Sequence, residues 1–260
     1  MTEPYIKIED LHKRFNSNHV MKGVDLSIYK NEITAVIGRS GCGKSVLLKH
    51  IIGLMEQDAG QILVGGKNIL HLSGKEKKEF RVSLSYMFQN NALFDFLNIY
   101  DNIALPLVEG SSLPKGEVKN KVRLRMEQLD LEGTEHRYPA ELSGGMRKRV
   151  ALARALVTDP GVVLFDEPTT GLDPVRKNRI HDMIKEYKEK FGFTAVIVSH
   201  DIPDIFKITQ RIAMLEDGKI IYEGDCEGIM NSENSVIQSF VRGRGDEEAM
   251  SRDRPCGKVS

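Results

Sequence analysis

Apolar and polar residues alternate near the start of the chain in a way that predicts strands. The segments YIKIEDL and VMKGVDLSI show this alternation, which is typical of strands with one buried face. The continuous apolar run ITAVIG instead indicates a strand buried on both faces. It stops at a glycine, and KSVLLKHIIGLM then predicts a helix with apolar side chains along one face.

The middle of the chain, from about residue 90 to residue 159, has a helical period. Just before it, QILVGGKNI predicts two short strands joined by a Gly-Gly turn. Within it, IYDNIALPL and KGEVKNKVRLRMEQLDL carry apolar residues at helical spacing. The segment VEGSSLPKG between these two helices is predicted to be a loop.

Strands and helices alternate again after residue 160. VVLF and TAVIVS predict buried strands, and VRKNRIHDMIKEYKEKFG predicts an exposed amphipathic helix. RIAMLEDGKIIYEG predicts a hairpin with an Asp-Gly turn. This alternation is typical of a mainly parallel sheet, into which the helical middle would be inserted. The polar stretch 242–260 has few core residues, so we expect a flexible tail or a contact with a partner.

The composition excludes several classes of protein. The chain has 260 residues and a formal net charge of +0, which argues against nucleic acid as a partner. Its 3 cysteines are an odd number, so a disulfide framework is not expected and a reducing compartment fits best. No apolar run approaches the roughly 20 residues of a membrane helix, and the N-terminus does not resemble a signal peptide.

One glycine-rich segment matches a phosphate-binding loop. Gly38, Gly43, Lys44 and Ser45 fit the pattern G-x-x-x-x-G-K-[ST], and they lie between a predicted strand and a predicted helix. Glycines let the backbone wrap around phosphate oxygens, while the start of the helix favours an anion. Lys44 would reach the outer phosphates and the Ser45 hydroxyl would bind Mg²⁺. This segment predicts a nucleotide site.

Polar residues also end the two later buried strands. Asp166 is suited to hold Mg²⁺ through water, and Glu167 can polarise an attacking water as a general base. In isolation such an acidic pair often has no chemical role. His200 ends TAVIVS, where it is either a hydrogen-bonded structural residue or a contact to the γ-phosphate or the water.

Six ordered motifs give the chain a family resemblance. GRSGCGKS, Gln89 in YMFQNN, LSGGM, VVLFDEP, GLD and VSHD follow the order and approximate spacing found in the ATP-binding subunits of ABC transporters. The resemblance covers roughly residues 5 to 240. It implies a P-loop NTPase (RecA-like) α/β core with an antiparallel β subdomain and an inserted α-helical subdomain. One ABC ATPase domain would span residues 1–241, with its core at about 1–89 and 160–241 and its helical subdomain at about 90–159.

The resemblance also implies roles for individual residues. Glu167, His200 and Gln89 would be catalytic, and Ser45, Gln89 and Asp166 would hold Mg²⁺. Phe15 would stack on adenine; without the resemblance it would be read as core, and Gln89 as a polar residue at a strand end. The ATP-binding set would be Phe15, Gly38, Arg39, Ser40, Gly41, Cys42, Gly43, Lys44, Ser45 and Val46.

The second glycine-rich segment would serve another chain. In this family Ser143, Gly144 and Gly145 bind the γ-phosphate of ATP held by the second subunit, and Asp173 belongs to the adjoining D-loop. Ser143 is well placed as an N-cap, and the N–H groups of a helix start form an anion site. Two copies meeting head to tail would enclose two ATP molecules.

Met146 stands where the wider family usually has glutamine. LSGGMRKRVALARAL and the segment NNALFDFLNIYDNIALPLVEGSSLP are similar to ATPases of the Mla, or MCE-associated, phospholipid transport systems that support outer-membrane lipid asymmetry. This implies transmembrane permease subunits and an MCE-domain substrate-binding protein as partners, on the cytoplasmic face of the inner membrane. The alternatives are a lipoprotein or small-solute transporter, and a non-transport ABC ATPase.

Two groups of residues allow two interpretations each. The basic run Arg147–Arg149 is either a solvated helix face or a phosphate-facing group. The apolar residues Leu93, Phe94, Leu105 and Leu107 either line a groove for a helix of the permease or form subdomain core.

Overall fold

The computed structural model describes residues 3–88 and 92–242. Gln89 and residues 243–260, which make up nearly all of the predicted tail, lie outside this part of the chain. The strands of the described part are β1 (Ile6–Phe15), β2 (Asn18–Ile28), β3 (Ile33–Ile37), β4 (Ala59–Val64), β5 (Lys67–Asn68), β6 (Leu84–Met87), β7 (Val162–Asp166), β8 (Thr194–Ser199), β9 (Arg211–Glu216) and β10 (Lys219–Gly224). Its α-helices are α1 (Lys44–Ile51), α2 (Gly74–Ser83), α3 (Ile99–Gly110), α4 (Lys115–Gln128), α5 (Gly144–Leu156), α6 (Pro174–Phe191), α7 (Cys226–Met230) and α8 (Ser235–Val241).

The strands form two sheets. A 6-stranded sheet has the order β10-β9-β3-β8-β7-β6, and every neighbouring pair in it is parallel except β9 with β10. A 4-stranded antiparallel sheet has the order β2-β1-β4-β5. The predicted α/β fold with a mainly parallel sheet and an antiparallel β part is therefore confirmed.

Two apolar clusters cover the two faces of the large sheet. One cluster joins alternate residues of β3, β7 and β8 to helices α3, α4, α5 and α6, and it contains the ring pair Phe165 and Phe193, 6.4 Å apart. The other packs the opposite face of the large sheet against α1 and the small sheet. Because every residue of β3, β7 and β8 is buried, these strands read as continuous apolar runs in the sequence.

Strand register brings three strand ends to one edge of the sheet. Ile37 of β3 pairs with Ser199 of β8, and Asp166 of β7 pairs with Val198. The glycine-rich loop directly follows β3, Asp166 ends β7 and Glu167 follows it, and His200 follows β8. The carboxyl edge of a parallel sheet is where α/β proteins place their ligands.

Several predicted helix bounds are wrong by a few residues. Helix α1 ends at Ile51 rather than continuing to Met55, because Gly53 turns the backbone with a φ of 71°. Helix α3 runs on to Gly110, where the N–H and hydroxyl of Ser111 both donate to Leu107 O, so the predicted loop is only residues 111–114.

Helix α2 has no counterpart in the sequence predictions. None of its residues is buried, so no apolar period marks it. A capping box stabilises its first turn: the N–H of Glu76 donates to Ser73 Oγ at 3.4 Å, and the N–H of Ser73 donates to Glu76 Oε2 at 3.0 Å. Within the described ranges, no helix has the length and apolar character needed to cross a membrane.

Candidate functional site

The glycine-rich loop has a backbone that only glycine adopts readily. Gly38, Gly41 and Gly43 have φ values of 153°, 77° and 105°. A Cβ at Gly38 would lie 2.2 Å from the carbonyl oxygen of Leu215, so any side chain there would displace β9 or the loop. The missing side chains of Gly38 and Gly43 therefore let the loop pack closely against neighbouring strands.

Lys44 lies inside the loop rather than on its surface. Its side chain is 4% exposed, and Nζ donates to the carbonyls of Gly38 and Arg39 at 2.9 Å each. The same ammonium lies 4.0 Å from Glu167 Oε1. Lys44 thus places a buried positive charge at the centre of the loop, at the first residue of α1.

The other predicted residues of the loop have different surroundings. Ser40 lines the cavity that also contains Glu167 and His200, and the Arg39 guanidinium is 3.8 Å from Glu216 Oε1. Cys42 and Val46 are half-buried against the cluster between the two sheets.

Asp166 receives a hydroxyl on each carboxylate oxygen. Ser45 Oγ donates to Oδ1 at 2.8 Å, and the hydroxyl of Tyr86 donates to Oδ2 at 2.6 Å. Asp166 is 9% exposed, so little water competes for it. Sequence reasoning missed Tyr86, which no motif marks; its only signal is its place in the strand just before Gln89.

Glu167 is held in an unusual backbone conformation. Its φ is 47°, a left-handed value that costs a non-glycine residue free energy of order 1–3 kcal/mol. Its N–H donates to Val198 O at 3.0 Å, which ties it to β8, and Oε2 accepts from Thr170 Oγ1 at 2.8 Å. The surrounding contacts therefore impose a strained geometry that aims this carboxylate into the cleft.

His200 faces Glu167 from the neighbouring strand end. Its Nδ1 is 3.3 Å from Glu167 Oε2, and its side chain is 48% exposed. The next residue, Asp201, is buried and accepts from Thr169 Oγ1 and Lys177 Nζ. Burial raises the pKa of Asp201, but these two donors outweigh it, so the pKa lies below its ordinary value. The ion pair between Asp201 and the half-buried Lys177 thus holds the segment from which His200 projects.

A cavity of about 520 Å³ opens over this group. Gly38, Arg39, Ser40, Glu167 and His200 line one side of it. The end of helix α8, residues 240–242, lines another side. Nothing in the sequence pattern placed the end of α8 beside the phosphate-binding loop.

Phe15 lies at the end of β1 and is not a core residue. Its side chain is 40% exposed, and Lys13 Nζ lies 5.8 Å from its ring centre. Phe15 pairs with Asn18 across the hairpin that leads into β2, and a Cβ at Gly43 would contact Val20 of that strand. The hairpin thus places an exposed aromatic ring on the strand pair that packs against the loop.

The second glycine-rich segment lies on a different element. Ser143 caps α5 by accepting from the N–H of Met146 at 3.3 Å, which confirms the predicted N-cap. Ser143, Gly144 and Gly145 are all exposed. The Met146 side chain packs against the cluster of α3–α6, so this residue has a structural role. Asp173 similarly caps α6, accepting from Arg176 N at 3.0 Å.

In the basic run after this segment, Lys148 is buried, whereas Arg147 and Arg149 are half-buried. The Lys148 ammonium donates to the carbonyl of Pro168, which directly follows Glu167. Arg147 Nη1 donates to Leu142 O at 2.6 Å, and Arg149 Nη1 donates to Leu129 O at 3.3 Å. All three cations bind backbone carbonyls, because each side chain folds back onto a neighbouring segment.

The four apolar residues predicted to be either groove lining or core differ in how exposed they are. Leu107 is 3% exposed and belongs to the core, while Leu93 and Leu105 are half-buried. Phe94 is 41% exposed and lies beside Phe96, which is 76% exposed. Leu107 is therefore core, and the two phenylalanines form an exposed apolar patch.

Cys42 provides a test of the loop. Burial raises the pKa of this thiol, so it is mostly protonated at neutral pH and reacts slowly. We expect the rate of alkylation at Cys42 to rise about tenfold per pH unit below that pKa. Once alkylated, the chain should lose nucleotide binding, measured by fluorescence titration, because the adduct would lie inside the loop.

The control for this experiment is Cys42→Ala, in which the other cysteines still react. This variant should bind nucleotide after the same treatment. Full binding by unaltered protein with Cys42 labelled, shown by mass spectrometry, would contradict the placement of phosphates at the loop.

Known proteins share this arrangement. The sequence pattern of the ABC transporter family matches residues 21–170. The chain is 35% identical to the intermembrane phospholipid transport system ATP-binding protein MlaF of Haemophilus influenzae, over 95% of this chain and 93% of that protein. It is 37% identical to the methionine import ATP-binding protein MetN of Clostridium acetobutylicum, over 95% of this chain and 77% of that protein.

A solved structure gives the same result. The dimeric ATP-binding cassette MJ0796, bound to ADP and Pi after hydrolysis, superposes with a TM-score of 0.73 and 29% identity, over 85% of this chain and 98% of that one. The match in sequence covers both the phosphate-binding loop and the acidic strand end. The chain therefore belongs to the ABC transporter family and is one of its ATP-hydrolysing subunits.

Proposed function

We propose that the chain powers a phospholipid transporter of the Mla/MCE type. In this proposal two copies enclose two Mg²⁺-ATP molecules and drive transmembrane permease subunits at the cytoplasmic face of the inner membrane. An MCE-domain protein would supply or receive the lipid. The observation that carries the proposal is the identity to MlaF, which extends over nearly the whole of both sequences.

The separation of the two glycine-rich segments supports a shared site. The loop around Lys44 and the exposed start of α5 at Ser143 lie on different elements. Each offers backbone N–H groups to an anion. One ATP can contact both if two copies meet head to tail, so that the second segment comes from the other copy in a two-fold arrangement. The dimeric cassette MJ0796 supports this assembly by analogy.

The residues at the sheet edge fit a magnesium ion. Ser45 Oγ and Asp166 Oδ1 lie 2.8 Å apart, and hydroxyl and carboxylate oxygens are the ligands Mg²⁺ prefers. We propose these two residues, with Gln89, as its holders. When bound, Mg²⁺ would neutralise charge on the phosphates.

The chain's own residues supply the remaining chemistry. Lys44 and the N–H groups of the loop would bind the phosphate oxygens, while Phe15 would stack on the adenine. Glu167 would take a proton from the attacking water, since its carboxylate points into the cleft. His200, 3.3 Å from that carboxylate, would orient the same water or the γ-phosphate.

The cargo is tested by isolating the assembled transporter. The chain, tagged at its N-terminus, would be purified from detergent-solubilised membranes of its own host, and its partners and bound lipids identified by mass spectrometry. The proposal expects a permease, an MCE-domain protein and co-purifying phospholipid. A solute-binding protein in place of the MCE-domain protein would contradict the lipid assignment and favour a small-solute importer, as in the MetN relative.

A further inference from the structure

Tyr86 holds the acidic residue at the sheet edge from the side opposite to the phosphate-binding loop. Its hydroxyl donates to Asp166 Oδ2 at 2.6 Å, while Ser45 of the loop donates to Oδ1 at 2.8 Å. The carboxylate is thus fixed from two sides by two elements. Only one of these donors belongs to a nucleotide-binding motif.

Strand register explains how a residue so far away in sequence reaches this position. Tyr86 of β6 pairs with Leu164 of the neighbouring strand β7. Alternate residues of a strand share a face, so Asp166, two residues beyond Leu164, lies diagonally across from Tyr86. The phenol is long enough to span that diagonal and reach the carboxylate.

Packing leaves the phenol ring little freedom. Tyr86 packs against the apolar cluster between the two sheets. The ring centre of Phe88 lies 4.6 Å from that of Tyr86, at an interplanar angle of 55°. A ring held in this way presents its hydroxyl in one direction, so the hydrogen bond is formed without a further loss of side-chain freedom.

The hydroxyl is a permanent donor. A tyrosine hydroxyl is protonated throughout the physiological range, and this one lies 2.6 Å from Asp166 Oδ2, the separation of an O–H donor and a carboxylate. A hydrogen bond from a neutral donor to a carboxylate is short and strong. Without the hydroxyl, Oδ2 would be left in a poorly hydrated position with no described partner, and the carboxylate would be free to turn.

We propose that Tyr86 is a positioning residue that orients Asp166 toward Mg²⁺ and thereby sets how much the metal contributes to nucleotide binding. The inference rests on the proposed function, since it takes Mg²⁺-nucleotide as the ligand. Residues that hold a metal ligand through a hydrogen bond typically change metal affinity about 10–100-fold when they are removed.

The test compares nucleotide affinity with and without the metal. A fluorescent ADP analogue is titrated into the unaltered chain, Tyr86→Phe and Tyr222→Phe, each in Mg²⁺ and in EDTA. The ratio of the two dissociation constants measures the contribution of the metal. Tyr222→Phe is the matched control, because it also removes one hydroxyl, which donates to Asp225 O at 2.8 Å away from this edge of the sheet.

The expected result is specific to the metal. Tyr86→Phe should reduce the affinity gain from Mg²⁺ about tenfold and leave the affinity in EDTA unchanged, whereas Tyr222→Phe should change neither value. An equal loss of affinity in Mg²⁺ and EDTA, with a lower thermal midpoint, would show a merely structural role and overturn the inference. An affinity gain from Mg²⁺ that is as large in Tyr86→Phe as in the unaltered chain would also overturn the inference.

These outcomes separate the inference from the proposed function. An unaltered chain that binds the analogue more tightly in Mg²⁺ than in EDTA supports the metal site. If Tyr86→Phe then shows the same affinity gain from Mg²⁺, only the role of Tyr86 is overturned. An unaltered chain that gains nothing from Mg²⁺ contradicts the proposed metal site itself, and with it the inference.

Discussion

Replacing Glu167 with glutamine should reduce ATP hydrolysis by about 10²–10⁴-fold while leaving ATP binding intact. The amide has nearly the same shape as the carboxylate and still accepts the Thr170 hydroxyl, which lies 2.8 Å from Glu167 Oε2. It cannot, however, take a proton from water. Turnover would be followed by phosphate release, and binding by titration with a fluorescent ATP analogue.

The control for this variant is Glu32→Gln. Glu32 is also a half-buried carboxylate, paired with Arg211 at 3.2 Å, but it precedes β3 at the opposite end of the strand. This variant should hydrolyse ATP at the normal rate. Normal turnover by pure Glu167→Gln protein would exclude Glu167 as the general base.

The second large effect concerns the site shared between two copies. Lys44→Ala removes the buried ammonium of the loop, and Ser143→Arg fills the exposed start of α5 with a long side chain. Each variant alone should be almost inactive. An equal mixture should recover about a quarter of normal activity, because random pairing makes half of the dimers mixed and each mixed dimer has one intact site of two.

The control for Ser143→Arg is an arginine placed at the start of another helix, which shows whether such a substitution inactivates the protein in general. Ser73 is an exposed N-cap like Ser143, and it caps α2, which lies outside the candidate site. Ser73→Arg should therefore remain active by itself. If Ser143 acted within its own chain, every site in the mixture would carry one defect, so the absence of any recovery would contradict the shared site.

The sequence predicts those parts of the site that depend on local pattern. Gly38, Gly43 and Lys44 are recognisable because a phosphate-binding loop needs these residues within one short segment. Asp166 and Glu167 are recognisable because a buried apolar run ends at them. The parallel sheet follows from the same apolar runs, since strands buried on both faces carry few polar residues.

The sequence does not predict contacts between distant segments. Tyr86 lies 80 residues from Asp166, and only the pairing of β6 with β7 brings them together. Lys148 resembles a surface cation in the sequence, yet its ammonium binds the carbonyl of Pro168 next to Glu167. In both cases the partner is fixed by tertiary packing, which does not show in the pattern of apolar and polar residues of either segment.

The position of the two ends of the described chain has a practical consequence. Tyr5 lies against Gly161, which precedes β7, whereas residues 240–242 line the cavity beside Glu167, which follows β7. A five-residue strand separates these two edges by about 15 Å. A fluorophore attached at residue 242 would thus lie at the catalytic edge and disturb binding measurements, while one attached at residue 3, which lines a cavity with Glu32, would lie at the far edge. Surface immobilisation and labelling should therefore use the N-terminus.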